Sequence, residues 1–232
     1  MGTRTRRGSA ARFVTSPRPN TSSQLISVII PTYNRPRLLM DRALASMFNQ
    51  TIKEQEVLVI GDGTDQQTVS EMEALCAENK FVKFWNLPRY PYPEDHTERW
   101  GLYGLRALNW GLDHAKGEWI AVLGDDDEWL PEHHEILLEA AERTGADHVY
   151  GVSDTYKDGQ FTGQRYGHWP PEDGAFCNGA NLYRRSLGYR YDLGCWTRGR
   201  TGDADLWIRM YEDGVKFHFE NQVVHRYHRN WP

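Results

Sequence analysis

The fold is decided by residues 25–49, which read LISVIIPTYNRPRLLMDRALASMFN. The first seven residues are mostly apolar and β-branched and end in a proline, a composition that predicts a short buried strand. From Pro36 to Asn49 apolar residues recur at helical spacing, and a proline suits the first turn of a helix. A strand followed directly by a helix opens a βαβ unit, so this stretch predicts a parallel sheet.

The same alternation of strand and helix continues along the chain. Residues 90–98 carry two prolines and several charges and are predicted to form a loop. After residue 152 the alternation stops: residues 157–160 (KDGQ) predict a hairpin turn, and residues 204–212 predict a helix closed by Gly214. The fold class is therefore α/β, with a mostly parallel central sheet and a smaller antiparallel portion. The other predicted strands are residues 56–60, 81–85, 119–123 and 147–152, and the other predicted helices are residues 66–78, 102–115 and 131–143.

Length and composition restrict the class of protein. The chain has 232 residues, of which 39% are hydrophobic and 12% are aromatic, enough for one substantial core and hence a single domain. The spacing of the three cysteines matches neither a zinc site nor a redox pair, so we expect a reducing, cytoplasmic location. No run approaches the roughly 20 apolar residues that cross a bilayer, so no transmembrane segment is expected.

Residues 1–24 differ in composition from the rest of the chain. They contain five arginines and no acidic residue, and they lack the apolar segment of a secretory signal. We predict a disordered basic tail at residues 1–24 and one folded domain at residues 25–232. Subtracting those five arginines from 27 basic residues leaves 22 against 32 acidic ones, so the domain is not expected to bind nucleic acid. Contact of the tail with an anionic membrane surface or polymer is the alternative to a solvated leader.

An acidic run, Asp125, Asp126 and Asp127, follows a predicted buried strand. Open α/β sheets bind ligands at the carboxyl ends of their strands. Three adjacent carboxylates repel one another unless a cation or several donors offset the charge, and oxygen ligands suit Mg²⁺ or Mn²⁺. The run therefore predicts a divalent-cation site, and the alternative is an acidic turn that caps the next helix. In that helix, His133 and His134 are expected to be exposed.

Two further polar segments follow predicted strands of the same sheet. In residues 61–64 (GDGT), glycines let the backbone approach a ligand, and Asp62 can accept hydrogen bonds from a base or ribose. Residues 31–35 (PTYNR) offer an aromatic face and small polar groups. Either segment alone could be an ordinary turn. Three such motifs after three strands of one sheet, however, converge on one crevice.

Four segments, taken in order, resemble glycosyltransferase family 2, the inverting enzymes of GT-A fold. They read LISVIIPTYNRP, EVLVIGDGTD, ALNWGLDHAKGEWIAVLGDDDEWLP and TGDADLWIRMYEDG, and the resemblance extends over about residues 25–228. It implies a single Rossmann-like GT-A domain with helices on both faces of the sheet. It also implies a nucleotide-sugar donor, commonly a UDP-sugar, an acceptor hydroxyl on a saccharide or another molecule, and Mn²⁺ or Mg²⁺ as cofactor.

The resemblance further assigns residues to the nucleotide. Thr32, Tyr33 and Arg35 would border it, with Tyr33 stacked on the base, and Asp62 would hydrogen-bond the base. The family's Asn-x-Gly in the central helix is matched here by Asn109, which is therefore a further candidate on the donor side.

The reaction centre is also implied by the resemblance. The family's metal motif falls on Asp126 and Asp127, with Asp125 and Asp126 next to the donor. His228, at the end of the closing HRYH, would be a third metal ligand. Asp203, in GDADLW, matches the family's general base, and its alternative role is to cap the helix that starts there.

Three glycines depart from the family pattern. Gly61 replaces the first of two acids after the second strand, Gly124 takes the first position of the Asp-x-Asp-Asp motif, and Gly202 replaces the Glu before the base. If these glycines reflect decay of the site, the chain is an inactive module that binds nucleotide sugars or saccharides. A second alternative is a nucleotidyltransferase, which shares the sheet type and the need for a metal. A nucleotidyltransferase usually carries a Gly-rich basic loop after its first strand, whereas this chain has TYN at residues 32–34.

Overall fold

Nine strands form one sheet within residues 25–229, the part of the chain that this computed structural model describes. They are β1 (Ile26–Thr32), β2 (Gln55–Asp62), β3 (Val82–Leu87), β4 (Trp119–Val122), β5 (Glu128–Trp129), β6 (His148–Lys157), β7 (Gln160–Tyr166), β8 (Asn181–Arg184) and β9 (Phe217–His228). Their order is β3–β2–β1–β4–β8–β6–β9–β5, and β7 pairs with β6. The predicted tail, residues 1–24, lies outside the described residues.

Helices cover both faces of this sheet. The α-helices are α1 (Pro36–Leu38), α2 (Ala45–Phe48), α3 (Gln66–Glu78), α4 (His96–Leu102), α5 (Leu105–His114), α6 (His133–Thr144) and α7 (Gly202–Glu212). A π-helical segment, Leu39–Leu44, joins α1 to α2, and 3₁₀ turns occur at Asn178–Ala180, Arg185–Leu187 and Cys195–Arg198.

The alternating direction of the side chains along β1 explains why helices pack on both faces of the sheet. Val28 and Ile30 pack in one buried cluster with Met47 and residues of α6, whereas Ile29 packs in a second cluster with Leu108 of α5. Successive residues of a strand point to opposite faces, so a strand that is apolar throughout must be covered twice. The α/β class with helices on both faces is confirmed.

The two halves of the sheet differ in strand direction. The strands β1 to β4 are mutually parallel where they pair, as predicted. Beyond β4, β8 runs antiparallel to both β4 and β6, and β5 runs antiparallel to β9. The hairpin β6–β7 turns at Asp158 and Gly159, both with positive φ, which confirms the predicted turn. The strands β5, β8 and β9 were not predicted, and β9 pairs with β6 in parallel.

The predicted helix at residues 102–115 is broken in two. Gly104 has φ +75°, and α5 begins only after it. A Cβ at this position would lie 3.3 Å from Pro31 Cβ, so glycine permits both the left-handed turn and the close approach to the end of β1. The preceding helix α4 is capped by Asp95 and ends at Leu102, two residues before this glycine. Among the described helices none has the length and apolar character to cross a membrane.

The prediction that His133 and His134 are exposed is wrong. Both side chains are fully buried, with their Nδ1 atoms 2.9 Å apart. Nε2 of His134 lies 3.2 Å from Oε1 of Gln55, and Nε2 of His133 lies 3.2 Å from the carbonyl oxygen of Gly179. Hydrogen-bond partners make the burial of two polar rings tolerable, and burial lowers the pKa of both well below the usual value.

Candidate active site

A cavity of about 640 Å³ opens at the carboxyl ends of β1, β2 and β4. Its position is the one expected for the ligand of an open α/β sheet. The structure brings most of the predicted site residues together here: the lining includes Thr32, Tyr33, Arg35, Asp62, Asp125, Asp126, Asp127 and Asp203. Asn109 and His228 are not among the lining residues.

Asp125 joins the loop after β1 to the acidic run. Thr32 Oγ1 donates to Asp125 Oδ2 at 2.8 Å, and the backbone N–H of Tyr33 donates to the same oxygen at 3.4 Å. Burial raises the pKa of Asp125 to about 7, with a further rise from Asp126, while Arg35 and the Thr32 hydroxyl act in the opposite direction. Asp125 is therefore a buried carboxylate that connects the loop after β1 to the acidic run, at the wall of the cavity.

Gly124 shapes the space between the next two carboxylates. A Cβ on Gly124 would lie 3.0 Å from Asp127 Oδ2 and 3.4 Å from Asp126 Oδ1, so both oxygens approach the space beside the Gly124 backbone. Arg35 donates to the other oxygen of Asp126 at 2.8 Å. Two carboxylate oxygens facing a common space form an oxygen-only donor set, which fits a hard divalent cation.

The histidine beside this pair is His225. Its Nε2 lies 3.5 Å from Asp127 Oδ2, is buried, and has no hydrogen-bond partner among the described residues, while its Nδ1 lies 2.9 Å from Ser153 Oγ. The ring of His228 instead meets Glu128 Oε1 at 2.9 Å, and only its backbone N–H reaches Asp127, at 2.7 Å. Residues three apart on a strand point to opposite faces, which separates the two rings.

The described part of the chain contains no group of three or more His, Cys, Asp or Glu side chains arranged to hold a metal ion. Mg²⁺ in nucleotide sites is usually held by one or two carboxylates together with phosphate oxygens and water. Asp126 and Asp127 match that pattern. The imidazole of His228 does not join them, because it contacts Glu128. The imidazole nitrogen that lies close to Asp127 Oδ2 is Nε2 of His225.

Asp62 is held by a cluster that the sequence analysis missed. Its Oδ1 accepts from the backbone N–H of Tyr90 at 3.0 Å, and its Oδ2 accepts from Tyr92 at 2.5 Å and Arg89 at 3.1 Å. The guanidinium carbon of Arg89 lies 3.5 Å from the ring centroid of Tyr33, stacked on its face. Arg89 and Tyr92 belong to an irregular segment, and in such a segment the spacing of residues does not predict which side chains will be in contact.

The glycines that depart from the family pattern are accommodated by neighbouring side chains. A Cβ on Gly61 would lie 2.8 Å from Asn86 Oδ1, and the Asn86 amide exchanges two hydrogen bonds of 3.0 Å with the backbone of Thr64. A Cβ on Gly202 would collide with the side chain of Leu105. At both positions a neighbouring side chain fills the space that a larger residue would need, so no empty space is left beside either glycine.

Asp203 is the second residue of α7, and Thr201 occupies the cap position. Asp203 Oδ1 accepts from Thr201 Oγ1 at 2.6 Å and from the N–H of Ala204 at 2.9 Å. Its Oδ2 has no hydrogen-bond partner within residues 25–229, and the side chain lines the cavity. Two donors therefore orient the carboxylate and leave one oxygen available to a ligand.

Two other predicted residues have structural contacts. Asn109 Nδ2 donates to the carbonyl of Tyr191 at 2.9 Å, and Asn109 Oδ1 accepts from the Tyr191 N–H at 2.9 Å, outside the cavity. Asp205, which we expected to be structural, is fully buried between Arg198 and Arg209 at 2.7 and 2.8 Å. Asn109 thus ties α5 to the segment before Cys195.

Comparison with known proteins identifies relatives over part of their length. The chain is 32% identical over 137 residues to the GalNAc(5)-diNAcBac-PP-undecaprenol beta-1,3-glucosyltransferase of Campylobacter jejuni, which covers 59% of this chain and 40% of that protein. It is 33% identical over 135 residues to the succinoglycan biosynthesis protein ExoW of Rhizobium meliloti, covering 57% and 39%. The chain thus spans about two fifths of the length of each relative.

Solved structures share the fold at low identity. TarS of S. aureus in complex with UDP-GlcNAc matches with a TM-score of 0.64 and 16% identity, over 89% of this chain and 59% of that one. The mannosyltransferase PcManGT from Pyrobaculum calidifontis, in complex with GDP-Man and Mn²⁺, matches with a TM-score of 0.64 and 15% identity, over 87% and 56%. Both likenesses support the GT-A architecture.

The family assignment rests on most of the described sequence. The sequence pattern of glycosyl transferase family 2 matches residues 27–211, which include the acidic run after β4 and the start of α7. The resemblance noted from four motifs is thereby confirmed. The chain belongs to glycosyl transferase family 2.

Proposed function

We propose that this chain transfers a sugar from a nucleoside-diphosphate sugar to an acceptor hydroxyl, with inversion at the anomeric carbon. Asp203 is the general base, and Asp126 and Asp127 hold a divalent cation. The observation that carries the proposal is that these three carboxylates line one cavity together with Tyr33 and Asp62. Carboxylates from distant parts of the chain converge where the motifs after β1 and β2 also end.

The donor lies along the ends of β1, β2 and β4. Tyr33 carries Arg89 on one face of its ring and is 42% exposed, so the rest of the ring can contact a nucleotide base. Asp62 already accepts from Tyr90, Arg89 and Tyr92, and its remaining lone pairs are the acceptors for a base N–H. We favour a UDP-sugar, because Asp62 suits the N–H of uracil and because TarS, of similar fold, is solved in complex with UDP-GlcNAc. Arg35, beside Asp126, adds positive charge where the diphosphate would lie.

Proton transfer is assigned to the free oxygen of Asp203. Oδ2 accepts the proton of the acceptor hydroxyl while the acceptor oxygen attacks the anomeric carbon from the side opposite the diphosphate. The bond from the anomeric carbon to the phosphate oxygen breaks, and its electron pair leaves with the nucleoside diphosphate. The chemistry that a cation held by Asp126 and Asp127 supplies is neutralisation of that developing negative charge. Attack and departure on opposite sides of the carbon produce inversion.

Two features of the structure argue against an inactive binding module and against a nucleotidyltransferase. An inactive module with a decayed site would leave space at Gly61 and Gly202, whereas Asn86 and Leu105 occupy those spaces. A nucleotidyltransferase would need a basic, glycine-rich loop after β1, whereas the loop here uses Thr32 to bind a carboxylate. A cytoplasmic location is part of the proposal and is supported by three free cysteines.

A thermal-shift panel tests the proposal. UDP-, GDP-, dTDP- and CMP-sugars are compared with and without Mn²⁺, because a ligand that binds only the native state raises its melting temperature. We expect a UDP-sugar to give the largest shift and to require Mn²⁺. Slow release of nucleoside diphosphate from that donor then supports a transferase. Release of pyrophosphate from a nucleoside triphosphate would indicate a nucleotidyltransferase, and a shift without any turnover would indicate a binding module.

A further inference from the structure

The cavity wall contains an asparagine that none of the sequence motifs predicted. Asn178 begins the 3₁₀ turn Asn178–Ala180, which directly precedes β8, and it lines the cavity together with its neighbours Cys177 and Gly179. An amide side chain carries two N–H donors and one oxygen acceptor. Which of these groups is available to a ligand depends on what the rest of the protein binds.

The oxygen of the Asn178 amide is held by Tyr191. The hydroxyl of Tyr191 donates to Asn178 Oδ1 at 3.2 Å, and the Tyr191 side chain is buried. Burial raises the pKa of Tyr191 well above its usual value, so the hydroxyl keeps its proton and donates it. Because Asn178 Oδ1 accepts this bond, the Nδ2 group of the half-buried Asn178 is left without a hydrogen-bond partner among the described residues.

Tyr191 is itself fixed through its backbone. Its N–H donates to Asn109 Oδ1, and its carbonyl oxygen accepts from Asn109 Nδ2, both at 2.9 Å. These two bonds connect α5 to Tyr191, and the hydroxyl of Tyr191 continues the connection to the Asn178 amide. The Asn109 side chain lies outside the cavity, and this chain of hydrogen bonds links it to the cavity wall.

The turn that carries Asn178 is held by side-chain donors. Trp129 Nε1 donates to the carbonyl oxygen of Gly179 at 2.6 Å, and Nε2 of His133 lies 3.2 Å from the same oxygen. Asn181 Nδ2 donates to the carbonyl oxygen of Asn178 at 2.5 Å. A residue whose backbone and side-chain oxygen are both fixed presents its remaining donor in one direction, so a ligand can bind it with little loss of side-chain entropy.

Contacts place this turn next to Asp127. A Cβ on Gly179 would collide with the ring of His225, and Nε2 of His225 lies 3.5 Å from Asp127 Oδ2. The backbone of the turn is therefore separated from the proposed cation ligand by one imidazole ring.

Electrostatic effects place Asp203 near the same turn. Burial raises the pKa of the Cys177 thiol, and the charges of Asp127 and Asp203 raise it further. The Ser153 hydroxyl and Arg229 act in the opposite direction. Because the effect of a charge declines with distance, both carboxylates lie near the turn that begins at the residue after Cys177.

The proposed function requires the transferred sugar to lie between these two carboxylates. Its anomeric carbon is bonded to the diphosphate beside Asp126 and Asp127, and the acceptor oxygen attacks that carbon from the side of Asp203. The sugar ring therefore occupies the part of the cavity whose wall includes Asn178.

Resting on that function, we infer that Nδ2 of Asn178 donates a hydrogen bond to a hydroxyl oxygen of the transferred sugar, and that Tyr191 positions the amide for this contact. Asn178 is thus a substrate-binding residue, and Tyr191 is a positioning residue. The nucleoside contacts proposed above are made by Tyr33 and Asp62 at the other end of the cavity. Affinity for UDP without a sugar therefore does not depend on Asn178.

Calorimetry that compares UDP-sugars with UDP tests this inference. The probes are UDP, UDP-glucose, UDP-galactose and UDP-N-acetylglucosamine, each with Mn²⁺, and the UDP-sugar that binds the wild type most tightly is used for the variants. Asn178→Ala should raise the dissociation constant of that UDP-sugar roughly threefold to tenfold, as the loss of one hydrogen bond does. The dissociation constant of UDP should stay at the wild-type value.

Tyr191→Phe tests the positioning role. It keeps the buried ring and removes the hydroxyl, so the Asn178 amide is no longer held in one direction. We expect the dissociation constant of the UDP-sugar to rise roughly twofold to threefold, again with no change for UDP. A purely structural defect would weaken both ligands alike. Asn221→Ala, at an exposed position outside the cavity, is the matched control and should bind both ligands like the wild type.

Melting temperatures show whether each variant is folded, and two results would overturn the inference. They are an unchanged dissociation constant of the UDP-sugar in a folded Asn178→Ala, and equal weakening of UDP and the UDP-sugar. If Asn178→Ala does not fold, the same comparison in Tyr191→Phe decides. If only Tyr191→Phe binds like the wild type, its positioning role is wrong. If no UDP-sugar binds to the wild type, the proposed donor is wrong and this inference fails with it.

Discussion

The proposed donor side and the proposed acceptor side of the cavity are built in different ways. The donor side uses the loops that follow β1, β2 and β4, which are neighbouring parallel strands. The acceptor side uses α4, α7 and the irregular segment around Phe176, which are far apart in the sequence. A parallel sheet gathers strand ends at one edge automatically, whereas the acceptor side depends on packing between elements that no repeating pattern connects.

The two sides also differ in charge. On the donor side, acidic groups are matched by Arg35 and Arg89, which suits a ligand with its own charges and metal. At the other end, the hydrogen bonds that Asp203 accepts from the described residues come from the Thr201 hydroxyl and the Ala204 N–H, both uncharged donors. We therefore expect charge to contribute more to binding at the donor end than at the end that contains Asp203.

The largest expected effect would test whether the acceptor side contains the catalytic group. Asp203→Asn removes the proton acceptor and should lower turnover about 10²- to 10⁴-fold, the usual contribution of a general base. Donor binding by calorimetry should stay near the wild-type value, because the donor contacts lie on the other side. Asp41→Asn, at an exposed position, is the control. Wild-type turnover in a folded Asp203→Asn variant would contradict the assignment of Asp203 as the general base.

The next effect sharpens the role of Gly202. Gly202→Ala places a Cβ against Leu105 and should reduce the free energy of unfolding by about 1–3 kcal/mol, as overpacking does. Adding Leu105→Ala should recover part of that loss, since contacting residues couple in a double-mutant cycle. Gly101→Ala, whose Cβ would have ordinary contacts of 3.6 Å or more, is the control. Strict additivity in urea unfolding would contradict this packing account.

The third effect, which is absent at neutral pH and grows as the pH falls, concerns the core of the mixed half of the sheet. His148, in β6, is fully buried among Phe176, Trp207 and Phe217, and neither ring nitrogen has a hydrogen-bond partner among the described residues. Burial lowers the pKa of His148 to about 3. In the unfolded chain the pKa is about 6.5. The stability that depends on a neutral His148 is therefore complete above pH 6.5 and is lost as the pH falls toward 3.

The measurable consequence is a change of slope. Between pH 6.5 and 4, His148 should contribute about 1.4 kcal/mol per pH unit to the loss of stability. His148→Phe should remove that contribution and so reduce the slope of the free energy of unfolding against pH. His96→Gln, at an exposed position, is the control. An unchanged slope for His148→Phe in urea titrations at several pH values would mean that the ring is protonated in the native state.

Much of the donor side could be predicted from the sequence because its signals are local. The apolar run before Thr32 and the acidic run from Asp125 each combine a strand with the loop after it, and both loops line the cavity. His225 was missed because its contact with Asp127 arises only when β9 pairs with β5 and β6. Arg89 and Tyr92 were missed because an irregular segment carries no periodicity.

The sequence by itself determined the α/β class, the strands β1 to β4, the hairpin turn at Asp158 and the family, because short-range periodicity and motif order specify these. Only the tertiary structure decided which histidine lies beside Asp127 and that Asn109 hydrogen-bonds to the backbone of Tyr191. The physical reason is that side-chain direction and long-range pairing depend on the whole packed chain, whereas strand and helix periodicity depend on near neighbours.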